Sequence, residues 1–152
     1  MVEATKPSPL ELEIRYGPFT HLMPREVPIW RGWLLGEGAK YAPYDYDVMV
    51  GEGIELPPET TDFERRIAQI LTSKRIDAVS RLPGTVHIFE VKPRAGLAAI
   101  GQVLGYVALY REKFGRNRKV QPWIITDEFQ PDVKPLLDRF GINGREVQPY
   151  TP

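Results

Sequence analysis

The chain has 152 residues, 42% hydrophobic and 11% aromatic, with 20 Lys/Arg against 20 Asp/Glu, 2 His and no Cys. That is enough apolar material for one core, and the lack of cysteine excludes disulfides, thiol catalysis and zinc fingers. No apolar run is long enough to span a bilayer, so we expect a single domain over 1–152 with no membrane span, no signal peptide and a cytoplasmic location. The zero net charge conceals an asymmetry: residues 1–60 hold 5 Lys/Arg and 10 Asp/Glu, whereas residues 61–152 hold 15 and 10. A basic excess in the second part suits a polyanion better than the balanced total does.

Residues 1–58 are interrupted by Pro7, Pro9, Pro18, Pro24, Pro28, Pro43, Pro57 and Pro58, yet Trp30, Trp33, Tyr41, Tyr44 and Tyr46 make them too aromatic for a disordered tail. They are expected as extended segments and turns wrapped around a core at 59–150, with a hairpin across 41–54. Asp45, Asp47, Glu52 and Glu55 read as solvated acids, or as a face for a protein partner or a mimic of DNA charge. The run GWLLGEG lacks the Lys-Ser/Thr of a phosphate loop. A helix follows over 62–72, with Phe63, Ile67, Ile70 and Leu71 at helical spacing and Thr60 or Thr61 as its cap. Glu64 falls three residues after Thr61, a capping-box spacing.

A short strand at 76–79 and a β-branched, aromatic strand at 85–92 flank the turn signal Leu82-Pro83-Gly84, so a hairpin is expected, its register left open. Period-two alternation puts Glu90 and Lys92 on one face, with His87, Phe89 and Val91 on the other, where His87 is read as a satisfied core or sheet-edge histidine. The next helix carries an apolar stripe of Leu97, Ile100, Leu104, Val107 and Tyr110 or Phe114. Gly101 and Gly105 within it suggest close approach to the sheet, and Gly115 ends it. A basic loop at 116–119 leads to a strand at 120–126. Asp132 is expected to cap a short helix, with Pro135 in its first turn and Gly141 closing it, before a possible edge strand at 142–148.

Two acids and a lysine on paired strands are suited to cutting a phosphodiester. A hard cation such as Mg²⁺ or Mn²⁺ takes oxygen ligands and keeps several waters. Asp77 and Glu90 would supply carboxylates and Val91 a carbonyl oxygen, while Lys92 would orient or deprotonate the attacking water and offset charge in the transition state.

The order Asp77…Glu90-Val91-Lys92 resembles the PD-(D/E)xK nuclease superfamily, and Gln102-x-x-x-Tyr106 on the following helix looks like the extra motif of its RecB-like exonuclease branch. The resemblance covers 61–127; Ile76 stands where the motif's Pro would be. It implies an α/β (α+β) restriction-endonuclease-like core with a central mixed sheet of about four strands flanked by helices, here with an irregular N-terminal extension. It further implies that Gln102 and Tyr106 contact the DNA backbone or steady the site, and that Glu64, on what reads as the first helix, either joins the metal or remains a cap.

Arg75, Arg81 and Arg94, with Gln102 and Tyr106, are the expected nucleic-acid contacts, made to phosphates and therefore largely sequence-independent. Two functions fit this reading: a Mg²⁺-dependent deoxyribonuclease, and a non-catalytic nuclease-fold protein that positions DNA or serves as a structural component of an assembly.

Overall fold

The computed structural model describes residues 3–51, 55–72 and 74–152. A mixed sheet of five strands, in the order β1-β2-β3-β4-β5, lies between helices. The strands are β1 (Asp45–Val50), β2 (Lys74–Leu82), β3 (Thr85–Val91), β4 (Val120–Thr126) and β5 (Asn143–Glu146). The helices are α1 (Pro9–Tyr16), α2 (Val27–Leu35), α3 (Asp62–Thr72), α4 (Leu97–Phe114) and α5 (Lys134–Arg139), with a 3-10 turn at Glu37–Tyr41.

The β2–β3 hairpin forms where the turn chemistry predicts it. Pro83 fixes one dihedral and Gly84 adopts φ 80°, a conformation open to glycine. The hairpin is antiparallel and pairs Ala78 with Phe89 through to Leu82 with Thr85. β1 adds antiparallel to β2. The α4 crossover then returns the chain parallel to β3, pairing Val86 with Val120 and Val91 with Ile125. β5 closes the far edge parallel to β4.

Two apolar layers hold the sheet. On one face Val79, Val86, Ile88 and Ile124 pack against Ala99, Ile100, Val103, Val107 and Tyr110 of α4. On the other, Ala78, Phe89, Val91, Trp123 and Ile125 pack against Ile29, Trp30, Trp33 and Leu34 of α2. The central strand β3 is therefore covered on both faces, and any polar side chain on it is drawn into the interior.

Several expectations change. The sheet has a fifth strand, β1, because residues 1–58 contain two helices and a sheet strand where extended segments were expected. Tyr41 belongs to the 3-10 turn and β1 pairs with β2, so no hairpin spans 41–51; Glu52 and Ile54 lie outside the described residues. GWLLGEG spans the end of α2 and the start of that turn. Val133, not Asp132, precedes α5, and no side chain caps it. On α3, Phe63 is 74% exposed and Ile67 is exposed too, so their spacing marks a helix face without marking core. The α4 stripe is rotated: Leu97 is 61% exposed and Val103 is buried instead. A Cβ on Gly101 or Gly105 would meet nothing within 4 Å, so neither glycine serves close packing.

Candidate active site

Continuing the β2–β3 register by one residue from Ala78↔Phe89 places Asp77 opposite Glu90. Each is only 5% exposed. Cross-strand neighbours point to the same face, so the two carboxyl groups are close enough for each to bear on the other's protonation. Asp77 Oδ2 also accepts from the Val91 backbone N–H at 2.8 Å. Lys92 follows at the end of β3, exposed, its own N–H bonded to Ile125 O at 3.0 Å. Its charge reaches both carboxyls and favours their ionised forms. Glu90 and Lys92 are not an ion pair on a solvated strand face, because Glu90 is buried.

Burial is the main reason both carboxyls bind protons more tightly than ordinary carboxylates do. For Glu90 the Asp77 charge comes next, then Glu26. For Asp77 the Val91 hydrogen bond opposes the effect, and Glu26 adds to it. Two buried acids facing each other are short of positive charge. The donor set is all hard oxygen, so it fits a divalent cation that tolerates water ligands. Among the described residues no three His, Asp or Glu side chains form a ready metal cage; Mg²⁺ needs only one or two carboxylates with waters.

Two residues escaped the sequence reading. Glu26 precedes α2, which is the helix packed on the sheet beside β3, and its charge acts on both acids. Glu26 Oε2 also accepts from Met23 N–H at 3.0 Å. The signal for it was Pro28, a first-turn proline that marks a helix start just after Glu26. His21 lies with Nε2 3.6 Å from Asp77 Oδ1 and Nδ1 3.3 Å from Asp47 Oδ1. Nothing in its local sequence announces it, since the contact joins a loop to two strands. Glu64, by contrast, is exposed and occupied as a cap: Thr61 Oγ1 accepts from the Glu64 N–H at 3.1 Å, and Glu64 Oε2 accepts from the Thr61 N–H at 3.4 Å.

The remaining expected residues divide. Tyr106 is half-buried under the sheet, and its hydroxyl is pushed up to about 12, by burial first and then by the charges of Glu90 and Asp77. Gln102 is exposed one turn earlier on α4. Arg94 is exposed at φ 43°, its N–H held by Asp127 Oδ1 at 2.8 Å. The other two arginines have acid partners. Arg75 Nη1 bonds Asp47 Oδ2 at 2.7 Å. Arg81 pairs with Asp45, and its Nε donates to the Tyr110 hydroxyl at 3.0 Å. Arg81 also sits opposite Val86, towards the other end of the hairpin from Asp77. Asp47 is a partly buried counter-ion of Arg75, whereas Asp45, its side chain 65% exposed, is a solvated acid that pairs with Arg81 at the surface. His87 is satisfied, its Nδ1 accepting from Trp123 Nε1 at 3.0 Å.

No family model and no curated protein matches the chain. Among solved structures, a repair endonuclease from Pyrococcus abyssi is similar over 50% of this chain and 34% of its own, at 24% identity and TM-score 0.44. EndoMS is similar in the EndoMS-dsDNA2 complex over 68% of this chain and 40% of that one, at 21% identity and TM-score 0.44. EndoMS in its apo form is similar over 78% and 44%, at 20% identity and TM-score 0.44. The chain spans between a third and under a half of the length of these structures.

Proposed function

We propose that this protein is a metal-dependent nuclease that hydrolyses phosphodiester bonds in DNA at Asp77, Glu90 and Lys92. The observation that carries the reading is the pair of carboxyls buried opposite each other on two central strands, with a lysine at the end of one of them. A core position occupied by two acids is costly unless it serves a cation. Asp77 and Glu90 would hold Mg²⁺ or Mn²⁺, with the Val91 carbonyl and Glu26 as further oxygens; Glu64 is committed to its cap. When bound, the cation polarises the phosphate and lowers the pKa of water. Lys92 is exposed beside the carboxyls, so it can meet the substrate, orient the attacking water and offset charge on the phosphorane-like transition state. Tyr106, on which the charges of both acids act, and Gln102 one turn earlier share a flank of α4, where they would engage the DNA backbone. Arg94, on the loop leaving Lys92, is the phosphate contact this geometry favours over the acid-paired Arg75 and Arg81.

The test is cleavage of linear, circular and branched DNA with Mg²⁺ or Mn²⁺, alongside a melting curve. Lys92→Ala is expected to lower the rate by about 10²–10³-fold, the usual loss when a stabiliser of transition-state charge is removed, with the melting temperature unchanged because the side chain is exposed. Equal cutting by Lys92→Ala would remove this site assignment. A wild type that binds DNA and never cuts under any metal would establish the non-catalytic alternative.

A further inference from the structure

We infer that Asp47 is a positioning residue for His21, holding its imidazole as the Nδ1–H tautomer with a bare Nε2 turned towards Asp77. Asp47 lies within β1 yet has φ 55°. That value is uncommon for a residue with a Cβ and costly in a strand, where it breaks the alternation of faces. Tyr46 joins the α2-side layer and Val48 the α4-side layer although they are two residues apart, and their β2 partners Ala78 and Ile76 divide in the same way. The kink turns the Asp47 carboxylate towards the neighbouring strand and the His21 loop. Oδ2 is taken by Arg75. Oδ1 is the one buried side-chain polar atom without a hydrogen-bond partner among the described residues.

An orphaned buried acceptor calls for a donor, and a neutral imidazole has one N–H and one bare nitrogen. The ring nitrogen facing Oδ1 is Nδ1, at 3.3 Å; a small ring rotation completes the bond. Its proton belongs there, which leaves Nε2, 3.6 Å from Asp77 Oδ1, as an acceptor beside the acid pair. A carboxylate that fixes one face of an imidazole also orients and strengthens the other as a base or ligand. The strain at Asp47 is thereby accounted for: it aims the carboxylate.

The chain contains an internal reference. His87 accepts at Nδ1 from Trp123, so it carries its proton on Nε2, and the two histidines of this chain should be opposite tautomers. Nitrogen-resolved NMR of the imidazoles, at a pH where both are neutral, reads this directly and needs no catalysis. Wild type should show His21 as Nδ1–H and His87 as Nε2–H. Asp47→Gly adopts the same φ without strain and removes the carboxylate; it should abolish the His21 preference and leave His87 unchanged. Asp47→Asn keeps an acceptor and tolerates this φ, and should restore the preference. His21 found as Nε2–H in wild type, or unaffected in a folded Asp47→Gly, would overturn the inference. The kinetic arm rests on the nuclease reading: Asp47→Gly should lower kcat at least tenfold with KM little changed, and Asp47→Asn should recover most of it. Tautomers as expected in a wild type that does not cut would leave the positioning role standing and remove the nuclease reading. Tautomers as expected with kcat equal in wild type and both variants would overturn the kinetic role of Asp47.

Discussion

Glu90 occupies a position on β3 where packing alone would place a valine or isoleucine, as it does at Ile88 and Ile124 beside it. Its presence has a measurable consequence. Asp77 and Glu90 bind protons more tightly in the folded chain than in the unfolded one. Their contribution to stability is therefore complete below the ordinary carboxylate range near pH ~4, and it is lost as pH rises through their raised folded values. With chelator present, the unfolding free energy should fall from mild acid to mild alkali by at most about 1.4 kcal/mol per pH unit for each acid, and the melting temperature should fall with it. Glu90→Gln should flatten that fall and melt above wild type at alkaline pH. Added Mg²⁺ should raise the wild-type melting temperature more at pH 8 than at pH 5, because the cation competes with protons for the same oxygens. A wild type that melts higher at pH 8 than at pH 5 in chelator would contradict the burial that defines this site.

Among the elements, α4 shows how periodicity identifies a helix without orienting it. The predicted stripe includes Leu97, yet the buried line runs through Ala99, Ile100, Val103, Val107 and Tyr110. Ala99 and Val103 are small residues that let the helix lie close to the sheet, and sequence spacing alone does not reveal which flank does so. Gly101 and Gly105 illustrate the same limit: they face open space on the outer side. Each should then cost helix stability without a packing return, and Gly101→Ala or Gly105→Ala should stabilise the free protein by about 0.5–1 kcal/mol in chemical denaturation. Destabilisation by either alanine would mean that the helix does use the glycine. The hairpin bearing Asp77 and Glu90 was legible because turn chemistry, strand composition and acid spacing are all local. Glu26 and His21 were not, since their approach to Asp77 depends on where α2 and its preceding loop pack, and no local pattern encodes that.

At the scale of the whole molecule, the aromatic N-terminal third is core rather than covering. Trp30 and Trp33 are fully buried against Phe89 and Trp123. Their indole N–H groups are satisfied by Tyr46 at 2.9 Å and Tyr44 at 3.1 Å, and the Tyr44 hydroxyl donates to Gly38 O at 2.6 Å. Prolines misled the sequence reading here: Pro9 and Pro28 sit in the first turns of α1 and α2, where a missing N–H costs nothing. The backbone at Gln148 lies tightly on α2, because a Cβ on Gly32 would lie 2.1 Å from Gln148 O. The basic second part and the acidic first part meet through Arg75–Asp47, Arg81–Asp45 and Arg145–Glu37. Residues 59–152 alone would keep the acid pair and the α4 layer, but they would expose Phe89, Val91, Trp123 and Ile125 and lose β1 from the sheet edge. Such a fragment is expected to show no cooperative melting transition and a collapsed amide NMR spectrum, and the full chain is expected to unfold in a single step. Within the full chain, Trp33→Ala should cost about 3–5 kcal/mol, as removal of a large buried aromatic does. A fragment of 59–152 that folds cooperatively would show instead that the α4 layer suffices, and that the α2 layer is an addition the acid pair does not require.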